Sequence, residues 1–167
     1  TTGAAMSIAT ATNKSLTGTT LTNNSSSITF WSGGIINLQT GGNISNAGTF
    51  ETNFDGSIND AGSGGAFANT GTFRKSGGAG NTTFNNIALN HSGGNIEVQQ
   101  GALDLAGGTA TAPINISSGK KITINSNTYI FGAGVALTGL GKVEVVTGGT
   151  LTVNATLNFP ALHVTGG

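Results

Sequence analysis

The sequence predicts an all-β fold, a right-handed parallel β-helix of about seven coils with about 23 residues and three short strands in each coil. Two observations predict it: a glycine-centred motif returns at a nearly constant spacing, and the residues between its copies alternate between apolar and polar. Composition agrees, because 29 of the 167 residues are Gly and only 7% are charged. Glycine is a poor helix former. We expect one β-solenoid domain over residues 1–167, as a segment of a longer or self-assembling protein.

The repeat is clearest in the middle of the chain. Gly48-Thr-Phe50 returns as Gly71-Thr-Phe73 and then as Gly94-Asn-Ile96, in two equal steps. Gly119 and Gly141 continue the series at nearly the same spacing, each before another alternating run. Stacked coils place equivalent residues above one another, so Phe50, Phe73 and Ile96 are predicted to form an interior stack.

Each repeat contains three strand-like pieces. The first follows the marker glycine and comprises 96–98, 122–124 and 143–145. The second follows a turn of Gly, Asn or Ser and comprises 103–105, 129–131 and 151–153. The third precedes the next marker, around Ile44, Phe67, Leu89, Ile114 with Ile116, and Leu137. Period-two alternation predicts half-buried strands, and stacking lets each coil bury an apolar side that it could not bury alone. The alternative is an antiparallel sandwich, which does not require a constant repeat length.

The first forty or so positions follow the period less well. Ile28–Phe30 and Ile35–Leu38 read as strands, and Gly18 precedes Gly41 by one full period. The segment Thr1–Thr12 is too small and polar to assign.

Two blocks resemble repeats of very large bacterial surface proteins, such as haemagglutinin-like adhesins and autotransporter-type passengers. They are Asn69-Thr-Gly-Thr-Phe-Arg-Lys-Ser-Gly-Gly78 and Gly94-Asn-Ile-Glu-Val-Gln-Gln-Gly-Ala-Leu-Asp-Leu-Ala-Gly-Gly108. The resemblance runs from about Gly42 to Val153 and concerns the repeat, so it implies a fold and a secreted, extracellular location rather than any chemistry. It implies an elongated adhesive or structural segment.

Three charged residues share one register. Glu51, Arg74 and Glu97 are each one repeat apart, and each comes directly after a predicted inward position. They are therefore expected to stack outward on neighbouring coils as a charge ladder. The other interpretation is a polysaccharide-cleaving site, with two carboxylates about 9–10 Å apart flanking a cation. The ladder is favoured because no further acid, base or nucleophile converges there.

Other residues receive more limited predictions. Lys75 would point inward under strict alternation, but burying an unpaired ammonium is too costly, so a corner is expected to begin there. Trp31 and Tyr129 could stack on sugars, although Trp31 reads better as a packed corner. Asn46 and Asn69 share a register and could form a ladder inside a turn.

Several chemistries find no support in the sequence. Gly139-Leu-Gly141-Lys142 lacks the phosphate-loop spacing, and Gly77–Thr82 has Thr82 where a calcium-binding nonapeptide needs Asp. His91 and His163 lie apart from any cluster of metal ligands, and there is no Cys. We therefore predict no catalytic residue, no metal and no cofactor. Balanced charge argues against nucleic acid, and no apolar stretch is long enough for a membrane helix.

Threonine pairs suggest a third possibility, an ice-binding face. The pairs Thr10/Thr12, Thr109/Thr111 and Thr150/Thr152 do not recur at the period of the repeat, so they are not expected to stack into one face.

The predicted function is non-catalytic: a structural or adhesive extracellular β-solenoid that serves as a rigid spacer or a fibre-forming surface protein. The alternative is a carbohydrate-binding or polysaccharide-cleaving β-helix. Expected partners are other copies or adjoining segments of the same chain, joined by end-to-end strand pairing. Surface glycans are a further candidate partner.

Overall fold

The protein is a β-solenoid of three parallel sheets, here called A, B and C. The computed structural model describes residues 3–62, 64–157 and 162–164, and these form 22 strands and no helix. Sheets A and C contain seven strands each and sheet B contains eight. The predicted all-β parallel solenoid of about seven coils is therefore confirmed, whereas its right-handed winding stays a prediction.

The strands are short, and each coil contributes one to every sheet. Sheet A is built from β1 (Ala5–Ile8), β4 (Ile28–Trp31), β7 (Thr49–Thr52), β10 (Thr72–Lys75), β13 (Asn95–Val98), β16 (Ile114–Ile116) and β19 (Leu137–Gly139). Sheet B is built from β2 (Lys14–Thr17), β5 (Ile36–Gln39), β8 (Ser57–Asp60), β11 (Asn81–Asn85), β14 (Ala102–Leu105), β17 (Lys121–Ile124), β20 (Lys142–Val145) and β22 (Leu162–Val164). Sheet C is built from β3 (Thr20–Asn23), β6 (Asn43–Asn46), β9 (Ala66–Asn69), β12 (Ala88–His91), β15 (Gly108–Ala110), β18 (Asn127–Phe131) and β21 (Gly149–Val153).

The interior stack predicted from the repeat is confirmed. Phe50, Phe73 and Ile96 are register partners on sheet A and are fully buried. The rings of Phe50 and Phe73 stack with their centroids 5.9 Å apart. Phe67 enters from sheet C and meets both rings edge-on, at 5.2 and 5.7 Å. Aromatic side chains from two sheets thus fill the centre of the solenoid, where each buries a large apolar area.

The marker glycines repeat because they stack on one another at the corner between sheets C and A. A Cβ atom on Gly71 would lie 2.1 Å from the carbonyl oxygen of Gly48, and one on Gly94 would lie 2.1 Å from that of Gly71. Gly94 also has a φ of +64°, which favours glycine. At these positions the backbones of successive coils lie too close together for a Cβ atom.

Beyond Ile96 the predicted equivalence of strands is wrong. Ile96 pairs with Ile114, less than one period later, whereas 122–124 and 143–145 belong to sheet B with 103–105. The pieces at 129–131 and 151–153 lie on sheet C. Glycine occurs at all three kinds of corner, but the corner 111–113 between sheets C and A has none, so Gly119, the glycine nearest the expected spacing, marks a different corner. Elsewhere a coil is longer than the period, as between the register partners Ser57 and Thr83.

The N-terminal coil is better ordered than its sequence indicates. The unassigned segment 1–12 contains β1, which pairs with β4 from Ala5 against Ile28. The strands predicted at 28–30 and 35–38 correspond to β4 and β5. In β4, however, Thr29 and Trp31 are buried and Ile28 is 51% exposed. The alternation of apolar residues predicts that Ile28 points inward. Because Trp31 is buried instead, the opposite face of β4 is the inner one.

A buried polar ladder runs along the inner side of sheet C. Its members, one from each of β3, β6, β9 and β12, are Asn23, Asn46, Asn69 and His91. The Nδ2 atoms of Asn23 and Asn46 each donate to the next Oδ1 atom at 2.6 Å. They also donate, at 2.9 Å, to the carbonyl oxygens of Thr49 and Thr72 at the corner that leads into sheet A. The suspected Asn46–Asn69 ladder is real, and it fastens this corner.

His91 ends the polar ladder with a defined tautomer. Asn69 uses one Nδ2 hydrogen for the carbonyl of Gly71, at 3.0 Å, and points the other at His91 Nδ1, at 2.9 Å. Nδ1 must therefore accept, so the ring proton is on Nε2, which donates to the Pro113 carbonyl at 2.9 Å. Burial lowers the pKa of His91 from 6.5, against the raising effect of that carbonyl. A neutral imidazole is the form that this ladder requires.

We expect acid to weaken the solenoid through His91. Because its pKa is lowered by folding, the unfolded chain binds the proton more readily, so this contribution is complete above about pH 6.5 and is lost as the pH falls below that value. The free energy of unfolding, measured by chemical denaturation, should therefore decrease between about pH 7.5 and pH 5. Ordinary carboxylates titrate lower, near pH 4.

The His91→Asn variant is the control, because an amide extends the polar ladder without a titrating group. Its free energy of unfolding should change little across the same pH interval. A wild-type protein with an equally flat profile would contradict the assigned role of His91.

Candidate functional site

The structure brings the three predicted ladder residues together on the outer face of sheet A. Glu51, Arg74 and Glu97 occupy the same position on β7, β10 and β13. Arg74 Nη1 lies 3.2 Å from Glu51 Oε2, and Arg74 Nε lies 2.7 Å from Glu97 Oε2. Arg74 therefore bridges two carboxylates on the coils on either side.

The remaining carboxylate oxygens in this charge ladder also have donors. Ser76 Oγ donates to Glu51 Oε1 at 2.7 Å. Asn95 and Gln99 donate to the two oxygens of Glu97, at 3.4 and 3.1 Å. The hydrogen bond to Glu97 raises the pKa of Arg74 above its usual value, and the bond to Glu51 adds to this effect. A glycosidase needs one carboxylate free to protonate the leaving group and another to attack or activate water. Here both carboxylates are bound to one guanidinium and to neighbouring donors, so neither is left free for these roles.

Lys75 corrects a prediction made from the sequence. A corner was expected to begin at this residue, but Lys75 is the last residue of β10 and its side chain points inward and is fully buried. The reason is a partner from a distant loop: Lys75 Nζ lies 2.7 Å from Asp55 Oδ1 and 3.0 Å from the carbonyl oxygen of Gly77. Gly80 N donates to the other Asp55 oxygen at 2.9 Å. The buried ammonium is thus compensated by charge and hydrogen bonds.

Asp55 is the exposed end of this pair, with 38% of its side chain accessible. Burial alone would raise its pKa, but the hydrogen bonds from Lys75 and Gly80 and the ammonium charge outweigh that effect and lower the pKa. The loop that resembles a calcium-binding nonapeptide uses its polar groups in the same region, because Thr82 Oγ1 donates to the Phe54 carbonyl at 2.7 Å. This hydrogen bond fastens the loop to the corner that contains Phe54.

The two aromatic residues considered for sugar stacking are both inside the solenoid, so that role is wrong for them. Trp31 is fully buried, meets Phe54 edge-on at 5.7 Å, and donates from Nε1 to the Gly34 carbonyl at 2.8 Å. Tyr129 is also fully buried, 5.7 Å from Phe131, and burial raises its pKa. Neither ring presents a face to solvent.

The threonine pairs are distributed differently from expectation. Thr109, Thr150 and Thr152 are all on the outer side of sheet C, where the period of the repeat indicated no shared face. The reason is again the variable coil length, which brings residues less than one period apart into register. The face is nevertheless irregular, because the column of Thr109 and Thr152 also contains Ser45, Ala68, Asn90 and Ile130.

The remaining ionisable residues form no metal centre in the part of the chain that the structure describes. Groups of three or more His, Asp or Glu side chains able to hold a metal ion are absent there. His91 belongs to the polar ladder, and His163 Nδ1 lies 3.6 Å from Glu144 Oε1. None of the described residues forms a helix able to cross a membrane.

Comparisons with protein-family models, with curated proteins and with solved structures found no match for this chain. The β-helical repeat is therefore established by the structure itself.

We expect Arg74→Glu to lower the free energy of unfolding by about 1 kcal/mol, because it places three carboxylates in register on adjacent strands. The loss should shrink in about 1 M salt, which screens exposed charges. Thermal and urea denaturation would measure it. The triple variant Glu51→Lys, Arg74→Glu, Glu97→Lys restores alternating signs and should recover most of the loss; an unchanged stability of Arg74→Glu would contradict the charge ladder.

We expect the two members of the buried pair to respond unequally to removal. Asp55→Ala leaves the buried ammonium without its counter-charge and should cost about 3 kcal/mol or more. Lys75→Met leaves a part-exposed carboxylate that water can solvate, and should cost about 1 kcal/mol. Chemical denaturation at neutral pH measures both.

The double variant Asp55→Ala, Lys75→Met tests the same point. It should be more stable than Asp55→Ala alone, because the uncompensated charge is gone. Equal stability of the single and double variants would show that the ammonium imposes no such cost.

Proposed function

We propose that this chain is a non-catalytic structural or adhesive β-solenoid of an extracellular surface protein, acting as a rigid spacer or as a fibre-forming segment. The observation that carries the proposal is the uninterrupted stacking. Parallel strand pairs follow one another from β1 to β19 on sheet A and from β3 to β21 on sheet C. Such a rod resists bending because each coil is fixed to the next by backbone ladders on three sides.

The disposition of polar groups supports a structural role over an enzymatic one. The polar ladder inside sheet C and the charge ladder outside sheet A both direct their hydrogen bonds from coil to coil. Acids that could have served catalysis, Glu51 and Glu97, are held by Arg74 and by neighbouring donors. These groups stabilise the stack, and the charge ladder leaves neither acid free for proton transfer.

The extracellular location rests on the resemblance of residues 42–153 to repeats of bacterial surface proteins. A chain without Cys agrees with it, since stacked coils are stabilised without disulfides. Haemagglutinin-like and autotransporter-type proteins use such solenoids as long extracellular rods, and the same use is proposed here.

Assembly is proposed to occur through the ends of the rod. The outermost described strands, which include β3 at one end and β21 at the other, are paired on one side only. Unpaired backbone groups of edge strands accept a further strand readily. The added strand would come from another copy or from an adjoining segment of the same chain.

The test is to block one end. Leu21 points inward on β3 and packs against the core, so Leu21→Lys introduces an inward charge at the edge, a known barrier to edge pairing. Sedimentation velocity over a concentration series should show self-association of the wild type, with an association constant reduced about tenfold or more in Leu21→Lys.

Thr22→Lys is the matched control, because Thr22 is exposed on the outer face of the same strand. It should associate as the wild type does. A wild-type protein that stays monomeric at every concentration would overturn the fibre-forming form of the proposal, as would equal effects of the two variants.

A further inference from the structure

Three of the six cations of the chain gather at the corner between sheets A and B. Lys120 precedes β17, while Lys121 and Lys142 begin β17 and β20 and are register partners. Like charges in register repel. Glu144 relieves this repulsion, because its two oxygens lie 2.7 Å from Lys121 Nζ and 3.0 Å from Lys142 Nζ.

Lys120 has no such partner. The other cations are each bound: Lys14 by backbone carbonyls, Arg74 by two glutamates, Lys75 by Asp55, and Lys121 and Lys142 by Glu144. Within the described residues, the Lys120 ammonium forms no hydrogen bond and no ion pair. With Glu144 and the nearby Asp104 counted against the three lysines, one positive charge remains uncompensated at this corner.

The same lysines line two adjoining cavities, which we name the corner groove. One cavity, of about 210 Å³, is lined by Asn81, Lys120 and Lys121 among others. The second, of about 230 Å³, is lined by Lys120, Leu140 and Lys142 among others. Gly119 and Lys120 line both. The groove follows the corner over four successive strands of sheet B, a length of about 14 Å.

The chemistry of the groove changes along its length. At one end the Asn81 amide is held in place by a 2.6 Å hydrogen bond to Asp104 Oδ2, and its own oxygen receives no donor from the described residues. At the other end Leu140 is 76% exposed and offers an apolar surface. Gly119 adds no side chain to the groove, and nothing lies within 4 Å of where its Cβ would be.

We propose that the corner groove binds a carboxylate-bearing oligosaccharide, of the kind found in polyuronates. A sugar carboxylate would pair with the Lys120 ammonium in a charge-assisted hydrogen bond. Its hydroxyl groups would bond the Asn81 amide, and the apolar face of a ring would cover Leu140. One ligand thus satisfies the unpaired charge, the positioned amide and the exposed leucine together, as ligand clefts generally do.

Charge also distinguishes this ligand from nucleic acid. The carboxylates of Glu144 and Asp104 lie among the lysines, and the chain has no net positive charge, so a densely charged phosphate backbone would meet repulsion. A polyuronate carries a single carboxylate on each ring and presents hydroxyl donors between the charges.

The inference rests on the adhesive form of the proposed function and names its ligand. The experiment titrates an oligogalacturonate into the protein by calorimetry, at low salt and at a protein concentration where it does not self-associate. Its methyl ester serves as the neutral ligand. We expect the acid to bind about tenfold more tightly than the ester, and the difference to decrease as salt is added.

Lys120→Gln should weaken binding of the acid about tenfold without loss of folding, because Lys120 has no partner to lose. Thr22→Glu is the charge-matched control: it lowers the net charge equally on the exposed face of sheet C, and should bind as the wild type does. Circular dichroism would confirm that both variants are folded.

Three results would overturn the inference: equal affinity for the acid and the ester, equal weakening by Lys120→Gln and Thr22→Glu, or tighter binding of inorganic polyphosphate than of oligogalacturonate. Each is independent of fibre formation, which is read from sedimentation, so failure here leaves the structural proposal standing.

Discussion

The constraint on which the structure depends is that equivalent residues of successive coils lie in parallel register, about 4.8 Å apart. A residue inside such a stack meets its own equivalent above and below, so the identity of one residue limits the next. Apolar side chains such as Phe50 and Phe73 satisfy this by stacking. A buried polar group needs a donor or acceptor, and the amides of Asn46 and Asn69 find one on the neighbouring coil because an amide offers both at a single position. His91 can end this ladder only as the neutral imidazole.

The same parallel register also constrains the charged side chains on the outer faces of the sheets. Identical charges in register repel, so the outer columns either alternate in sign or place one acid between two bases. Arg74 between Glu51 and Glu97 is the first arrangement, and Glu144 against Lys121 and Lys142 is the second. Both direct the charged groups toward each other along the rod. Lys120, which lies at a corner where the chain leaves the strands, has no ion-pair partner among the described residues.

Periodicity explains what the sequence could and could not predict. From Phe50 to Ile96 the coils on sheet A keep a constant length, so the interior stack and the register of Glu51, Arg74 and Glu97 follow from counting. The next coil is shorter, so counting residues assigns Ile122 to the sheet of Ile96, whereas the structure places it on sheet B. Trp31 and Lys75 escaped prediction for a different reason. Their orientation depends on contacts with Phe54 and Asp55, which lie in the corner between β7 and β8, outside the strands that the repeat aligns.

Irregular coils are therefore the places where this solenoid departs from a uniform rod, and both unusual charge arrangements are found at them. The lengthened corner between Lys75 and Thr83 contributes the Gly77 carbonyl and the Gly80 amide to the buried pair of Lys75 and Asp55. The shorter coils that follow bring Lys121 and Lys142 into register, beside the open corner of Gly119. A uniform repeat would present the same surface at every coil, so a ligand would bind at every coil or at none. Variation in coil length instead confines the uncompensated lysine, the positioned Asn81 amide and the exposed Leu140 to one stretch of one corner, so the proposed structural rod can also carry the one proposed site.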